Sequence, residues 1–238
     1  MHDRPAGRQP DSSFWNELDK TEQDTLRQTG RLQRFPVGGV PLCFEGDGSD
    51  TVLIILAGWA KVTSPTSSGH EVVLAVRGPG DIVGELSGLF GRPRSATVQA
   101  VVDIETLSIA ASRFREFLDG NPRCWWPLTA TLVARMDDLG DRLRVHAEND
   151  GGRRIAHLLV YLAELFIRDR IWDPGDPIEV HPPLSQTELG SWVDISRETA
   201  ARAFRVLRAR GLVQTGWRRI IVLDLAGLRA YAEGSPLS

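Results

Sequence analysis

The sequence predicts an α+β protein of three successive parts: an N-terminal antiparallel β-domain, a long helix and a C-terminal winged helix-turn-helix. Three observations support this architecture. Between residues 32 and 109, short apolar runs alternate with glycine-bearing turns, which is typical of antiparallel sandwiches and barrels. Helical periodicity begins near residue 112 and continues to residue 170. The remaining chain shows a helix, a tight turn, a basic helix and a hairpin in that order, the sequence of elements in a winged helix-turn-helix.

The composition is that of an ordinary globular protein. The 238 residues are 42% apolar and 25% charged, with a net charge of −3, which excludes an unstructured polar chain and a polycationic DNA-coating protein. Cys43 and Cys124 lie far apart without metal-ligand spacing, so they indicate a reducing cytoplasm and no zinc or iron–sulfur site. Because no apolar run approaches the length of a membrane span or an export signal, we expect a cytoplasmic protein without a membrane partner.

The N-terminal part is divided into a disordered lead over residues 1–13 and a β-domain over residues 14–120. The lead is polar and contains proline and glycine. A helix is expected over residues 14–29, because Phe14, Leu18 and Leu26 share one face. The apolar runs predict four strands and a following short helix, at residues 52–56, 71–76, 97–102, 106–109 and 112–118.

A long helix and a hinge are expected over residues 121–150. Proline is tolerated in a first helical turn, so Asn121-Pro122 marks the start. Within this helix one set of residues has near-heptad spacing, which is typical of helices that pair between subunits. The set is Trp125, Leu128, Leu132, Met136, Leu139, Leu143 and His146. The alternative is that this face packs on the β-domain of its own chain. Asn149-Asp150-Gly151-Gly152 is expected to break the helix and form an interdomain hinge.

The C-terminal domain is predicted over residues 151–238. Ser185 and Glu188 form a capping box at the start of its second helix, and Ser196 is placed as the N-cap of the third. Thr215-Gly216-Trp217 separates two strand-like runs and predicts the wing hairpin. The elements expected are a helix over 153–170, a loop over 173–177, a strand over 178–181, a helix over 185–193, a turn at 194–195, a helix from 196, and strands over 212–214 and 219–223.

The helix that follows Ser196 separates an apolar face from a basic one. Ala200, Ala203, Phe204 and Leu207 follow helical spacing, whereas the opposite side carries Arg197, Glu198, Ala201, Arg202, Arg205 and Arg208. Arginine can donate two hydrogen bonds to guanine, and a carboxylate can accept one from cytosine. Residues 185–222 hold seven arginines against three carboxylates in an otherwise acidic chain. A solvated basic surface is the alternative, but the capping box and wing on either side favour a helix that reads double-stranded DNA.

A second candidate site lies in the β-domain. Gly84, Glu85, Leu86 and Ser87 form a glycine-marked turn into a short helix, which exposes backbone N–H groups to an anion. Arg94, beyond the turn, can pair with that anion through two hydrogen bonds. Glu85 can accept a hydrogen bond from a sugar hydroxyl.

Both sites carry a family resemblance. Gly84-Glu85-Leu86 followed by Arg94-Ser95-Ala96 resembles the phosphate-binding cassette of cyclic-nucleotide-binding domains. Ser196-Arg197-Glu198-Thr199 with Arg202 resembles the recognition helix of the cyclic-AMP receptor protein/FNR superfamily of bacterial transcription regulators. Asn121-Pro122 and Arg154-Ile155-Ala156 are also similar to that family, and the resemblance extends over residues 31–232 in the family's order.

The resemblance implies a jelly-roll β-domain and a homodimer paired along the long helix. Cyclic AMP or another cyclic nucleotide would be a dissociable effector, with no covalent cofactor and no metal. Glu85 would hold the ribose 2′-hydroxyl, and Arg94 and Ser95 the cyclic phosphate. On DNA, the implied base readers at a palindrome of TGTGA-like half-sites are Arg197, Glu198 and Arg202, and the implied phosphate contacts are Ser185, Ser196 and Arg218.

Two positions depart from the family pattern. Leu139-Gly140 stands where the family's cyclic-AMP responders carry a Thr-Ser pair that hydrogen-bonds the adenine. Leucine offers adenine no hydrogen bond, so recognition of the base would have to differ. Asp194 stands where the helix-turn-helix often has a glycine, and aspartate tolerates the left-handed backbone region better than most residues.

Three functions are therefore compared. The first is a transcription regulator gated by a ligand in the β-domain, with RNA polymerase as a further partner through the exposed loop over residues 170–176. The second keeps the DNA binding, while the β-domain is structural or binds another effector. The third is the cyclic-nucleotide-responsive subunit of an enzyme. The chain leaves little room for a catalytic domain, and its five histidines are scattered, so we expect no enzymatic activity.

Overall fold

The computed structural model describes residues 13–48, 50–65, 71–148, 150–168, 171–180, 184–217 and 219–234. The predicted lead, apart from Ser13, lies outside these residues, as do Arg170 and Arg218. The side chains of Leu143 and His146, at the end of the predicted seam, are also outside the described part.

The β-domain consists of two antiparallel sheets, as the sequence predicts. Its strands are β1 (Arg31–Phe35), β2 (Thr51–Ala57), β3 (Ala60–Pro65), β4 (Glu71–Arg77), β5 (Ile82–Val83), β6 (Thr97–Ala100) and β7 (Ile104–Ala110). One sheet has the order β1-β7-β2-β5 and the other β4-β3-β6. The four predicted apolar runs do not include β1, β3 or β5. Four of the five residues of β1 are exposed, β3 is buried only at Ala60 and Thr63, and β5 has only two residues.

Alternating residues of β2 point into two separate cores. Leu53 and Ile55 lie in the core between the sheets, whereas Val52 and Ile54 lie in a second core with the surrounding helices. A strand buried on both faces reads as a continuous apolar run, which explains why β2 shows no polar alternation.

The N-terminal helix is shorter than expected. Only α1 (Lys20–Thr29) is helical, while residues 14–18 form turns. Asp19 is the N-cap, and its side chain and that of Glu22 form a capping box, which begins the helix at this point. Phe14, Leu18 and Leu26 are all buried, as predicted.

The helical segment that follows the strands has the predicted order. It contains α3 (Ala111–Gly120), a 3₁₀ turn (Pro122–Cys124), α4 (Trp125–Ala147) and α5 (Gly151–Ile167), whereas the short α2 (Glu85–Phe90) lies earlier, between β5 and β6. No helix in the described part of the chain is both long and apolar enough to cross a membrane.

The break between the long helix and the next one is present where the sequence predicts it, since α4 ends at Ala147 and α5 begins at Gly151. The glycines of the predicted stretch are Gly151 and Gly152. Both lie in the first turn of α5, where Asp150 is the N-cap and accepts a hydrogen bond from Gly152 N at 2.7 Å. A Cβ on Gly151 would lie 2.6 Å from Thr199 Cγ2, and one on Gly152 2.7 Å from the Tyr231 hydroxyl. The glycines therefore permit close helix packing, and the interruption lies between the end of α4 at Ala147 and the start of α5 at Gly151.

The C-terminal domain is a winged helix-turn-helix, as predicted. It continues from α5 through β8 (Ile178–Glu179), α6 (Gln186–Trp192), α7 (Arg197–Ala209), β9 (Val213–Gly216), β10 (Arg219–Val222) and α8 (Leu225–Glu233). The strands pair in the order β8-β10-β9. The capping box at α6 is present, with Ser185 N donating to Glu188 Oε2 at 2.8 Å and Glu188 N donating to Ser185 Oγ at 3.2 Å.

Candidate functional sites

The turn between α6 and α7 is tight because of its backbone and its small residues. Asp194 adopts φ 53°, so the residue in the glycine position does take the left-handed conformation. Ile195 N donates to Gly190 O at 3.0 Å. A Cβ on Gly190 would lie 2.9 Å from Ala200 Cβ, so α6 and α7 approach closely at this point.

The apolar face of α7 is buried as predicted. Ala200, Ala203, Phe204 and Leu207 are 1%, 4%, 0% and 0% exposed. Ser196 is the N-cap, and its hydroxyl accepts a hydrogen bond from Thr199 N at 3.1 Å. The N-cap and the buried apolar face together fix the position of α7, so the residues on its outer face are not needed for packing.

The outer face of α7 presents the predicted base readers together. Arg197, Glu198 and Arg202 are all exposed within the first two turns. Arg208, near the other end, instead donates to Thr215 Oγ1 of β9 at 2.9 Å, which ties the helix to the wing. The face has the charge and hydrogen-bonding groups that guanine and cytosine edges require.

The two serines implied as phosphate contacts both cap helices. The Ser185 oxygen accepts a backbone hydrogen bond at α6 and the Ser196 oxygen accepts one at α7. A hydroxyl that accepts in this way still has a proton to donate. The Ser185 hydroxyl is therefore able to hold its helix and donate to a phosphate oxygen. The Ser196 hydroxyl also lies 3.0 Å from Thr199 Oγ1, where either hydroxyl can donate, and it can donate to a phosphate when Thr199 is the donor of that bond.

Arg154 has a structural role that the sequence analysis did not assign to it. Its Nη1 donates to the carbonyl oxygens of Val193 and Asp194 at 3.2 and 3.3 Å. Its Nε donates to Glu148 O, at the end of α4, at 2.7 Å. One side chain thus connects the interruption after α4 to the turn that orients α7.

The second site is a cavity of about 180 Å³ in the β-domain. Its lining includes the six predicted cassette residues Gly84, Glu85, Leu86, Ser87, Arg94 and Ser95, together with Cys43, Val62, Arg77, Ile82, Val83, Ala96, Val98 and Arg135. Leu139 and Gly140 do not line the cavity within one chain. Leu139 is 60% exposed, and a Cβ on Gly140 would meet nothing within 4 Å.

Arg94 is fixed beneath the cassette turn. It is 4% exposed, and its Nη2 donates to Thr51 O at 2.7 Å and Thr51 Oγ1 at 3.2 Å. Gly84 has φ 80°, and a Cβ at this position would overlap the Arg94 guanidinium. Glycine is therefore required here both by the backbone and by the arginine that packs against it.

Arg135 of α4 enters the same cavity and was not identified from the sequence. Its Nη1 lies 2.6 Å from Glu85 Oε1, with Glu85 only 4% exposed, and its other terminal nitrogen donates to Ile82 O. Burial lowers the pKa of Arg135 below its usual value, and the nearby Arg77 lowers it further, while Glu85 opposes the shift. The ion pair joins α4 directly to the acid implied for ribose binding.

The residues thus assembled have the chemistry for a small anion that carries hydroxyl groups. Arg94 and the N–H groups at the start of α2 can bind a negative charge, and Glu85 can accept a hydrogen bond from a hydroxyl. In the described part of the chain, no three His, Cys, Asp or Glu side chains are grouped to hold a metal.

Comparison with known proteins identifies both regions. A model of the cyclic nucleotide-binding domain matches residues 35–121, and a model of the Crp-like helix-turn-helix domain matches residues 153–231. The cAMP-activated global transcriptional regulator CRP of Escherichia coli is 30% identical over 183 residues, which cover 76% of this chain and 84% of that protein. The CRP-like cAMP-activated global transcriptional regulator of Mycobacterium tuberculosis is 26% identical over 199 residues, covering 84% and 87%.

Solved structures show the same fold. The catabolite activator protein of Thermus thermophilus has a TM-score of 0.51 and 25% identity, covering 94% of this chain and 99% of that one. The c-di-GMP-responsive global regulator CLP of Xanthomonas campestris has a TM-score of 0.68 and 22% identity, covering 87% and 99%. With an exposed basic recognition helix, a cyclic nucleotide-binding domain and relatives that are regulators and not enzymes, the chain belongs to the cyclic-AMP receptor protein/FNR family of DNA-binding transcription regulators.

Proposed function

We propose that the protein acts in the cytoplasm as a homodimer that binds a palindrome of TGTGA-like half-sites and is gated by a cyclic nucleotide. The exposed Arg197, Glu198 and Arg202 on a buried helical scaffold carry the DNA part of this proposal. Arg197 and Arg202 donate to guanine edges and Glu198 accepts from cytosine. Ser185, Ser196 and Arg218 contact phosphates and fix the register.

The DNA part is tested by measuring affinity for a TGTGA palindrome and for scrambled DNA of the same length at one stated salt concentration. Tighter binding of the palindrome by about 1,000-fold or more is expected of a specific regulator. Equal affinity for both would exclude sequence reading by α7.

The dimer part rests on an apolar face of α4 that the described residues leave uncovered. Trp126, Val133, Met136 and Leu139 are 77%, 57%, 73% and 60% exposed. Leu128 of the predicted seam instead lies in the core of its own β-domain, so the alternative of intrachain packing holds at that position. A large exposed apolar surface marks an interaction site, and a second α4 is its proposed occupant.

Sedimentation of the full chain tests this assembly. A dimer is expected for the natural protein, and Met136→Glu, which places a charge in the face, is expected to shift it toward monomer. Asp137→Asn, on the adjacent exposed position of the same helix, is the matched control. A monomeric natural protein would exclude the dimer.

The gating part rests on the cassette. Glu85 holds the ribose 2′-hydroxyl, Arg94 and Ser95 hold the cyclic phosphate, and the nucleotide rearranges the Glu85–Arg135 pair that links the cavity to α4. The relatives named as cAMP-activated regulators support this class of effector. A ligand shifts the DNA-competent population only if it binds that state more tightly.

Calorimetry with cyclic AMP and cyclic GMP, with operator binding measured in parallel, tests the gating. Binding of a cyclic nucleotide accompanied by a change in operator affinity is expected. If neither nucleotide binds and operator affinity stays unchanged, gating by these nucleotides is excluded.

A nucleotide-independent regulator of the same fold is the second candidate function. It is favoured by one observation: Leu139, in the position that would recognise the base, is apolar and does not line the cavity. Specific, high-affinity operator binding by the protein without any nucleotide would favour this candidate over the first.

Two further assignments belong to the same proposal. The chain is divided into a β-domain over residues 14–120, a dimerisation helix and hinge over residues 121–150, and a DNA-binding domain over residues 151–238.

The loop over residues 170–176, exposed at Asp173 and Asp176, contacts RNA polymerase if the regulator activates transcription. Loss of activation with unchanged operator binding in a double Asp173→Ala, Asp176→Ala variant would support this contact.

A further inference from the structure

The DNA-binding domain packs against the β-domain of its own chain along β4. Val76 of β4 is 0% exposed and belongs to the apolar core of the DNA-binding domain, and Val73 packs on the same core. Near the end of α5, Phe166 lies against Trp59, with ring centroids 6.4 Å apart. The two domains are therefore joined by side-chain packing as well as by the chain itself.

A buried ion pair lies beside this packing. Arg168 Nη2 is 3.0 Å from Asp81 Oδ1, and the side chains are 16% and 5% exposed. Asp81 is held firmly, because its Oδ2 accepts from Gly78 N at 2.8 Å and its carbonyl oxygen accepts from Ile55 N at 2.9 Å. We call the group Asp81, Arg168, Trp59 and Phe166 the clasp.

The clasp is continuous with the effector cavity. Asp81 directly precedes Ile82, whose carbonyl oxygen accepts from Arg135, and Arg135 pairs with Glu85. Trp59 lies against the turn before Asp81, where a Cβ on Gly78 would overlap its ring. A shift of the cassette turn would therefore act directly on the clasp.

The clasp does not cover the DNA-reading face. Arg197, Glu198 and Arg202 stay exposed while Asp81 and Arg168 are paired. Its effect is on orientation: it fixes the angle of the DNA-binding domain on the body that carries α4. In a dimer of helix-turn-helix proteins, that angle determines the distance between the two recognition helices, which must match half-sites about 34–36 Å apart.

We propose that Asp81 and Arg168 are positioning residues that set the half-site spacing the dimer accepts. The inference rests on the dimeric operator binding proposed above. Without the clasp, each recognition helix keeps its base contacts, but the domain is free to adopt other angles. Binding to a palindrome of the wrong spacing then costs less free energy, so the preference of the dimer for the correct spacing falls.

The test compares full-length Arg168→Gln with the natural protein on two palindromes, one of which has two additional base pairs between its half-sites. We expect the affinity ratio between the two palindromes to fall at least about fivefold in Arg168→Gln, the lower range of coupling between sites. Arg168→Lys, which keeps the charge, is expected to restore most of the ratio. Arg229→Gln is the matched control, because Arg229 of α8 pairs with Glu164 of α5 at 2.7 Å, an arginine–glutamate contact within the DNA-binding domain.

An unchanged ratio in Arg168→Gln, or an equal fall in Arg229→Gln, would overturn the inference. If the natural protein shows no preference between the palindromes, the dimeric operator proposal fails instead. The role of the clasp in holding the two domains together is then tested by hydrogen exchange of the amides of residues 71–77, the edge strand covered by the DNA-binding domain. Faster exchange of that strand in Arg168→Gln but not in Arg229→Gln supports the clasp, and unchanged exchange overturns it.

Discussion

Replacing Arg202 with alanine tests whether α7 reads bases. Arg202 is exposed and makes no hydrogen bond or ion pair with the described residues, so its removal leaves the fold intact. An arginine that donates twice to guanine contributes about 1–3 kcal/mol of discrimination. Because a dimer places Arg202 in both half-sites, the full palindrome loses about 2–6 kcal/mol, or roughly 30-fold to 25,000-fold in affinity.

The assay is fluorescence anisotropy with the palindrome, with a variant palindrome changed at the contacted base pair and with scrambled DNA. Arg202→Ala should bind the first two equally, because the lost contact no longer distinguishes them. Arg205→Ala is the matched control, since Arg205 is exposed one turn further along the same helix. An equal loss on palindrome and scrambled DNA would refute base reading and make Arg202 a phosphate contact.

Three other perturbations have distinct expected results. Phe204→Ala removes a fully buried ring and should lower the free energy of unfolding by about 3–5 kcal/mol in urea titrations; no loss would contradict its core role. Burial opposes ionisation of Glu22, but hydrogen bonds from Asp19 N and Arg123 hold its pKa below the usual 4.5. The ionised Glu22 therefore stabilises the fold above that pH, and this stabilisation is lost as the pH falls through the lower pKa of the folded state. Glu22→Gln should flatten the pH dependence of the melting temperature below pH 4.5, and an unaltered acid profile would contradict the linkage. Gly84→Ala introduces a Cβ at φ 80°, with a left-handed cost of about 1–2 kcal/mol and displacement of Arg94. It should weaken nucleotide binding in calorimetry and leave the affinity of the full chain for the operator unchanged when no nucleotide is present; equal nucleotide affinity would exclude the cassette as the phosphate site.

The elements around α7 were predictable because their determinants are close in sequence. The capping box of Ser185 and Glu188 and the N-cap at Ser196 are interactions over three residues. The buried face of α7 follows directly from helical spacing. The left-handed conformation of Asp194 also follows from its place in a tight turn.

The segment from α4 to α5 shows what local patterns leave undetermined. The low helix propensity of glycine predicts the break between α4 and α5, but only the structure shows that Gly151 and Gly152 lie in the first turn of α5, close to Thr199 and Tyr231. The near-heptad spacing of α4 does not reveal that Leu128 packs into the β-domain while Met136 is exposed. The same spacing is compatible with a partner helix or with the body of the chain.

The sequence by itself determined the class of fold, the order of its elements, the exposed basic face of α7 and the residues grouped at the β-domain cavity, because caps, turns and periodicity act over a few neighbouring residues. Only the tertiary structure decided the contacts between distant segments. Glu85 and Arg135 are 50 residues apart, and Asp81 meets Arg168 across two domains. No periodicity connects such pairs: each arginine meets its carboxylate only when packing brings the two distant segments together and removes both side chains from water.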